Sequence, residues 1–213
     1  MWQRNNLSVK QRFEEDFEFE GFRVRQSLET EPPSCVYDAA IIMAKYLTRR
    51  ACQQLQGKTV LELGAGCGLT GIYLSRLVGK GILTDVPSVV PLIQTNIEAN
   101  GCADKLQATS LFWGDQRDLD QVMQMTQNQV DYVVGGDIVF DFENFEGLCG
   151  MLEQLFAKCG TKQAFIGYTH RFGDVEGWFK DNLKKRSFSI TEASDIDEEY
   201  KAANFTILIL SKL

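Results

Sequence analysis

The sequence predicts an α/β fold: a doubly wound, seven-stranded and mostly parallel sheet with helices on both faces. The first observation behind it is that short apolar runs, typical of strands, alternate with amphipathic runs, typical of helices. The second is that four glycines, between residues 64 and 71, directly follow a short apolar run that suits a buried strand. The third is that no helix separates the last two predicted strands, residues 188–191 and 205–210, so we expect the final strand to be antiparallel.

The N-terminal part of the chain predicts a β-hairpin and a helix. Residues 17–26 alternate apolar and polar side chains on either side of Gly21, which is typical of a hairpin. A pair of prolines then breaks the pattern, and residues 36–55 repeat apolar side chains at helical spacing. The sequence contains no internal repeat, low-complexity tract or interdomain linker. We therefore expect one domain over residues 1–213, with residues 1–34 as an N-terminal extension that includes the hairpin.

The remaining elements follow in chain order. Strands are predicted at residues 58–63, 81–85, 106–112, 130–137, 163–168, 188–191 and 205–210. Helices are predicted at residues 72–78, 87–100, 142–158 and 175–183, with residues 116–127 as helix or loop. Pro87 suits the first turn of its helix, Gly101 ends that helix, and Asp141 fits the N-cap before residue 142.

The composition excludes several classes of protein. The chain has 213 residues, enough for one α/β domain with a full core, and its 44% hydrophobic content is ordinary for a globular protein. No apolar run approaches the roughly 20 residues that span a bilayer, so we expect no membrane partner. The first six residues lack an apolar core, so we expect no secretory peptide. Six scattered cysteines without a Cys-x-x-Cys pair, and a single histidine, argue against a metal site and indicate reduced thiols in the cytoplasm or the nucleus.

The net charge of −7 and the isoelectric point near 4.9 limit the partners. A broad phosphate-binding surface is disfavoured, so we expect no nucleic acid partner. A basic substrate, such as a lysine-rich face of a protein, would be attracted to an acidic surface. The alternative is that the acidity only aids solubility. We expect the protein to act as a monomer.

The glycine-rich stretch is the main candidate for ligand binding. Glycines permit positive φ and a close approach of the backbone to a nucleotide-like ligand between a strand and a helix. The pattern Gly66-x-Gly68-x-x-Gly71 fits the dinucleotide fingerprint. However, Glu62 lies two residues before Gly64, so the same stretch also has the pattern Glu-x-Gly-x-Gly-x-Gly. Asp85 ends the next predicted strand, where a carboxylate holds the ribose hydroxyls of such cofactors. A tight turn without a ligand, and a nicotinamide or flavin site, are the alternatives.

Four short stretches carry a resemblance to a known family. They are Val36-Tyr37-Asp38-Ala39-Ala40, Leu61 to Gly68, Leu111-Phe112-Trp113-Gly114 and Asp137-Ile138-Val139-Phe140. The second resembles the first motif of the S-adenosylmethionine-dependent methyltransferases. Together and in this order they resemble methyltransferase family 16, whose members methylate lysines on non-histone proteins such as chaperones and elongation factors. The resemblance runs from the hairpin to the last strand, and it implies a Rossmann-like methyltransferase fold with an inserted antiparallel last strand.

The resemblance implies S-adenosylmethionine as the cofactor and assigns it a set of contacts. The cofactor-binding candidates are Tyr37, Glu62, Gly64, Ala65, Gly66, Asp85, Trp113 and Gly136. The loop would contact the methionine part through its backbone. Asp85 would accept hydrogen bonds from the ribose hydroxyls, and Trp113 would offer adenine a flat apolar surface. Tyr37 stands where the family usually has Trp and would close over the cofactor. An ordinary core position is the alternative for each of these two aromatic residues.

Asp137 and Phe140 are the candidates for the chemistry. A lysine amine must arrive neutral and aligned, and a carboxylate at the pocket mouth can orient it. Asp137 has a helix cap as its alternative role. Phe140 stands where the family has Tyr, so it can only pack or offer a cation–π face. Tyr168 ends the fifth predicted strand and His170 and Arg171 follow it. His170 is either a surface residue or a base for an arginine or histidine target.

The leading hypothesis is a protein-lysine methyltransferase whose partner is a protein substrate presenting a lysine. Within the same class, the target is alternatively an arginine, a histidine or a small molecule. Outside that class, the alternatives are a non-catalytic relative that binds proteins and a nicotinamide-dependent reductase.

Overall fold

The computed structural model describes residues 8, 13, 15–32, 34–140, 142–170, 174–196 and 204–213. The predicted helix cap at Asp141, and Arg171 near the predicted substrate mouth, lie outside these residues, as does most of the predicted N-terminal extension before residue 15. No helix in the described ranges is both long and apolar enough to cross a membrane.

The N-terminal hairpin is confirmed. Strands β1 (Phe17–Phe19) and β2 (Phe22–Val24) pair in antiparallel register. Glu20 and Gly21 connect them with φ angles of 46° and 89°. Two successive positive φ angles give the turn whose twist matches that of the flanking strands, and glycine adopts such an angle without strain.

The main sheet contains seven strands, as predicted. They are β3 (Thr59–Leu63), β4 (Lys80–Asp85), β5 (Leu106–Ser110), β6 (Tyr132–Gly136), β7 (Gln163–Thr169), β8 (Phe188–Glu192) and β9 (Phe205–Lys212). Their order across the sheet is β5-β4-β3-β6-β7-β9-β8. The first five are parallel, and β9 runs antiparallel to both of its neighbours. The strand order reverses between β3 and β6, so a crevice for a ligand is expected at the carboxyl ends of these two strands.

Within the described ranges, seven helices with both ends described flank the strands in chain order. They are α1 (Asp38–Arg50), α2 (Cys52–Leu55), α3 (Leu69–Leu74), α4 (Val90–Ala99), α5 (Gln116–Met125), α6 (Phe145–Lys158) and α7 (Val175–Lys185), with a 3-10 turn at Phe142–Asn144. Asp115 caps α5, because its carboxylate accepts hydrogen bonds from the amides of Arg117 and Asp118 at 2.8 and 3.2 Å. The region left as helix or loop is therefore a helix.

The sheet separates two apolar cores. Val60 and Leu61 are adjacent in β3, yet Val60 packs with α1 to α4 on one face and Leu61 packs with α5 to α7 on the other. Val134 and Val133 in β6 divide in the same way. Neighbouring side chains point to opposite faces of a strand, so a strand covered on both sides is apolar throughout. The prediction of helices on both faces is confirmed.

Several predicted helix boundaries are wrong. The helix predicted at residues 72–78 is α3 at Leu69–Leu74, and the one predicted at residues 142–158 starts with a 3-10 turn before α6. Residues 87–89 form a turn in which the Val89 amide donates to the Val86 carbonyl at 3.0 Å, and α4 begins only at Val90. Pro91, rather than Pro87, occupies the first turn, where its missing N–H costs no helical hydrogen bond. The predicted helix at 36–55 is also interrupted at Ala51, which separates α1 from α2.

Candidate active site

A cavity of about 540 Å³ opens at the carboxyl ends of the central strands. Nine of the ten predicted site residues line it: Tyr37, Gly64, Ala65, Gly66, Asp85, Trp113, Gly136, Asp137 and Phe140. They come from the start of α1 and from the ends of β3, β4, β5 and β6, so the parallel strands bring distant parts of the sequence to one edge. The tenth, Glu62, lies beneath the glycine loop instead.

The glycine loop follows β3 in a conformation that only glycine adopts freely. Gly64 and Gly66 have φ angles of 61° and 57°. A Cβ at Gly64 would also lie 2.8 Å from the Ile138 side chain, so this position requires glycine on two grounds. The Ala65 amide donates to the Thr84 carbonyl at 2.9 Å, which fixes the loop to β4. The loop therefore presents its backbone to the cavity in a defined geometry.

Asp85 binds the glycine loop as well as facing the cavity. Its Oδ2 accepts from the Gly66 amide at 2.8 Å, and its Oδ1 accepts from the Val86 amide at 2.8 Å. Burial raises the pKa of Asp85, and these two amides partly offset that effect. The carboxylate thus fixes the loop and adds a hydrogen-bond acceptor to the cavity wall.

Glu62 occupies a supporting position under the loop. Only 3% of the residue is exposed, and its Oε2 accepts from the Gly71 amide in α3 at 2.9 Å. A Cβ at Gly71 would lie 2.6 Å from that oxygen, so the fourth glycine of the stretch makes room for Glu62. Burial raises the pKa of Glu62 from 4.5 to about 8. A direct contact of Glu62 with a cofactor remains a prediction.

Aromatic side chains form much of the cavity wall. Trp113 is half-buried, and its ring centroid lies 6.5 Å from that of Phe140, which is 50% exposed. Tyr37, just before α1, and Phe112 are exposed at 42% and 50%. Large rings left open to solvent are unusual in a well-packed domain, and here they surround a cavity that a flat or apolar ligand would fill.

Asp137 is held at the cavity by β7. Its φ angle is 62°, a left-handed conformation that aspartate adopts more readily than most residues. Its amide donates to the Gly167 carbonyl at 2.7 Å, and its Oδ1 accepts from the Thr169 amide at 3.0 Å. Because this carboxylate bonds to a strand and α6 begins only at Phe145, the alternative role of Asp137 as a helix cap finds no support.

The cavity is acidic. Among the described residues that line it, none is Lys, Arg or His, whereas Asp85 and Asp137 are carboxylic acids. Two thiols also line it, Cys35 and Cys67, and burial raises the pKa of Cys67 to about 12, so that thiol stays neutral. The site therefore favours a cation and disfavours an anion such as a pyrophosphate.

The structure adds functional residues that the sequence analysis missed. Asn96 in α4 is fully buried, and its amide donates to the carbonyls of Cys67 at 2.8 Å and Arg25 at 3.0 Å. It thereby ties the glycine loop to the segment that follows the hairpin. The available signal was an asparagine on the apolar face of an amphipathic helix, between Ile93 and Ile97. Ser34 also lines the cavity, from a segment interpreted only as a break between elements.

His170 does not line the cavity. Its Nδ1 lies 3.0 Å from a carboxylate oxygen of Glu176, and its Nε2 lies 2.8 Å from the Thr206 hydroxyl. Both ring nitrogens are engaged in contacts that join β7, α7 and β9. This arrangement fits a structural residue better than a base for an arginine or histidine target.

Comparison with known proteins finds similarity to lysine methyltransferases in sequence and to a methyltransferase in fold. A family model described as lysine methyltransferase matches residues 17–186. The chain is 34% identical over 161 residues to EEF1A lysine methyltransferase 3 of Xenopus tropicalis, which covers 71% of this chain and 68% of that protein. It is 31% identical over 189 residues to protein-lysine methyltransferase METTL21E of Mus musculus, which covers 84% of this chain and 73% of that protein. An O-methyltransferase family protein from Burkholderia thailandensis superposes with a TM-score of 0.62 at 16% identity over 81% of this chain and 56% of that one. At that identity, the last comparison establishes the fold alone.

Proposed function

The chain belongs to the lysine methyltransferase family, and we propose that it transfers a methyl group from S-adenosylmethionine to a lysine side chain of a non-histone protein. The observation that carries this proposal is the acidic and aromatic cavity at the carboxyl ends of β3, β4 and β6.

The cavity suits this cofactor in charge and in shape. The sulfonium group is a cation, and the charged side chains among the described lining residues are Asp85 and Asp137. A nicotinamide dinucleotide carries an anionic pyrophosphate, and no Lys, Arg or His among the described lining residues would offset its charge. Asp85 would accept hydrogen bonds from the ribose, Trp113 would stack on adenine, and the backbone of Gly64 to Gly66 would contact the methionine part.

Lysine methylation needs alignment, desolvation and a neutral amine. When bound, S-adenosylmethionine supplies the methyl group through in-line displacement at its sulfonium carbon. Phe140 would exclude water from the amine, and desolvation lowers the lysine pKa from its value of about 10.4 in water. Asp137 would accept a hydrogen bond from the amine and so orient the lone pair of the amine nitrogen toward the methyl carbon. A carboxylate also raises the pKa of a nearby ammonium, so Asp137 orients the amine rather than deprotonating it.

We also propose that the protein acts as a monomer on a protein partner in the cytoplasm or the nucleus. All six cysteines are free thiols, in accord with a reducing compartment. The net charge of −7 would attract a basic protein face and would repel nucleic acid. Gel filtration with light scattering would test the monomer, and a dimer at micromolar concentration would contradict it.

Incubation of a lysate from the source organism with the purified protein and methyl-labelled cofactor tests the reaction. Mass spectrometry of the labelled band should locate the methyl group on a lysine. Label on arginine or histidine would overturn the target residue. Calorimetric titration should show that the protein binds S-adenosylhomocysteine and not NAD, and the opposite pattern would overturn the methyltransferase assignment.

A further inference from the structure

A second aromatic surface lies beside the mouth of the cavity. Phe142, in the 3-10 turn before α6, and Trp178, in α7, are exposed at 47% and 56%. Their rings meet edge to face with centroids 5.7 Å apart. We call this pair the aromatic ridge. Exposed apolar groups that adjoin one another in this way mark interaction sites more often than isolated ones do.

The aromatic ridge rests on the core and is therefore preorganised. The Phe142 ring lies 5.6 Å from that of Phe145, which is fully buried, and Phe145 lies 5.3 Å from the fully buried Phe179. The chain of rings fixes the orientation of Phe142 and, through it, of Trp178. A rigid aromatic surface loses little side-chain entropy when a partner binds, which is why Trp dominates many interfaces.

The aromatic ridge is continuous with the proposed substrate entrance. Phe140 and Asn144 both line the cavity, and Phe142 lies between them in the chain. Phe142 is therefore only two residues from each of these wall residues. A polypeptide that placed one side chain in the cavity would lie across the ridge with its neighbouring residues.

Carboxylates flank the aromatic ridge. Asp181 lies three residues after Trp178 on the same face of α7, and Asp174 directly precedes the helix; both are exposed. Glu143, next to Phe142, is exposed as well. Lys184 lies 3.6 Å from Asp181 and offsets part of this charge. Lys180, in the same helix, pairs with Glu176 and Glu192. The exposed carboxylates beside the ridge suit a basic partner.

We propose that the aromatic ridge docks the segment of the substrate protein next to the target lysine, and that this segment carries an apolar side chain together with Lys or Arg. The apolar side chain would pack between Phe142 and Trp178, and a basic group would lie over the Trp178 ring or beside Asp174. This inference rests on the proposed function, because it deepens the substrate class of the same site.

The test uses the protein that the wild-type enzyme labels in lysate, purified as the substrate. Trp178→Gln should raise the KM for that substrate about tenfold, as expected for an interface hot spot, with kcat and the affinity for S-adenosylhomocysteine unchanged. Leu213→Gln is the matched control, because Leu213 is 90% exposed and follows β9 at the amino-terminal edge of the parallel strands, away from the cavity. Leu213→Gln should leave the KM, the kcat and the affinity for S-adenosylhomocysteine unchanged.

Charge is tested separately. The double variant Asp174→Asn with Asp181→Asn should raise KM and reduce its dependence on salt, whereas Asp104→Asn, an exposed acid before β5 at the far edge, should not. An active wild type whose Trp178→Gln variant keeps its KM within about twofold overturns the docking surface and leaves the proposed function intact. A wild type that labels no protein overturns the proposed function, and this inference with it.

Discussion

At the scale of single residues, Asp85 combines two tasks that one substitution can test. Asp85→Asn removes the charge and leaves one oxygen for the amides of Gly66 and Val86 and for a ribose. We expect the affinity for S-adenosylhomocysteine, measured by calorimetry, to fall at least about tenfold, because a hydrogen bond to a charged group contributes about 1.5–3 kcal/mol. Asp104→Asn provides the control, and an unchanged dissociation constant for Asp85→Asn would exclude the predicted role.

Asp137 should affect turnover rather than cofactor affinity. Asp137→Asn retains a side chain that tolerates the left-handed φ of 62° and an oxygen that can accept from the Thr169 amide. It removes the negative charge that orients the amine. We expect kcat to fall about tenfold to a hundredfold, with the affinity for S-adenosylhomocysteine unchanged. Steady-state kinetics on the labelled substrate measures this, and full activity would show that the carboxylate does not act on the substrate.

Glu62 makes stability depend on pH. Its pKa rises from 4.5 to about 8 on folding, so the folded state holds a proton that the unfolded state releases between these values. The free energy of unfolding should therefore fall as the pH rises from about 5 to about 8. Glu62→Gln keeps an acceptor for the Gly71 amide and should flatten this slope in denaturant titrations. Equal slopes for the two proteins would contradict the buried, protonated carboxyl.

At the scale of elements, two glycines in α6 separate packing from helix propensity. A Cβ at Gly147 would lie 2.5 Å from the Trp113 carbonyl, whereas a Cβ at Gly150 would meet no atom within 4 Å. We expect Gly147→Ala to lower the free energy of unfolding by about 1–3 kcal/mol and to weaken cofactor binding, because the backbone of Trp113 must move.

Gly150→Ala is the control in the same helix. It should stabilise the protein by about 0.5–1 kcal/mol, because alanine favours a helix interior over glycine, and it should leave cofactor affinity unchanged. Thermal unfolding and calorimetry measure both variants. Equal behaviour of the two would show that α6 does not support the adenine wall.

The elements were predictable where the local pattern decides them. The strand and loop from Thr59 to Gly68 combine an apolar run with glycines, and the structure places both as expected. The start of α4 was not predictable from Pro87, because Pro91 satisfies the same preference for the first turn and tertiary packing selects between them. The helix cap at Asp115 was missed, although Leu119 and Val122 recur at helical spacing in α5.

At the scale of the whole molecule, strand order decides which predicted residues meet. Asp85 ends β4 and Asp137 directly follows β6, and these two parallel strands lie on either side of β3. Their presence at one cavity therefore follows from the alternation of strands and helices. The position of Glu62 beneath the loop does not follow from that alternation, because it depends on which face of β3 the side chain points to and on the space left by Gly71. Asn96 was hidden for a similar reason: its partners, Cys67 and Arg25, are far from it in sequence.

The insertion of β9 between β7 and β8 has a consequence for synthesis of the protein. On the ribosome, residues 188–192 emerge before the strand that separates them from β7, so β8 has no neighbour with which to form its ladder. Phe205 pairs with Thr169, the residue whose amide holds Asp137, so the nascent polypeptide exposes an open sheet edge beside the candidate active site until residues 205–212 leave the exit tunnel. The enzyme should therefore acquire its activity only after residues 205–212 have emerged from the ribosome, and it should depend on chaperones until then.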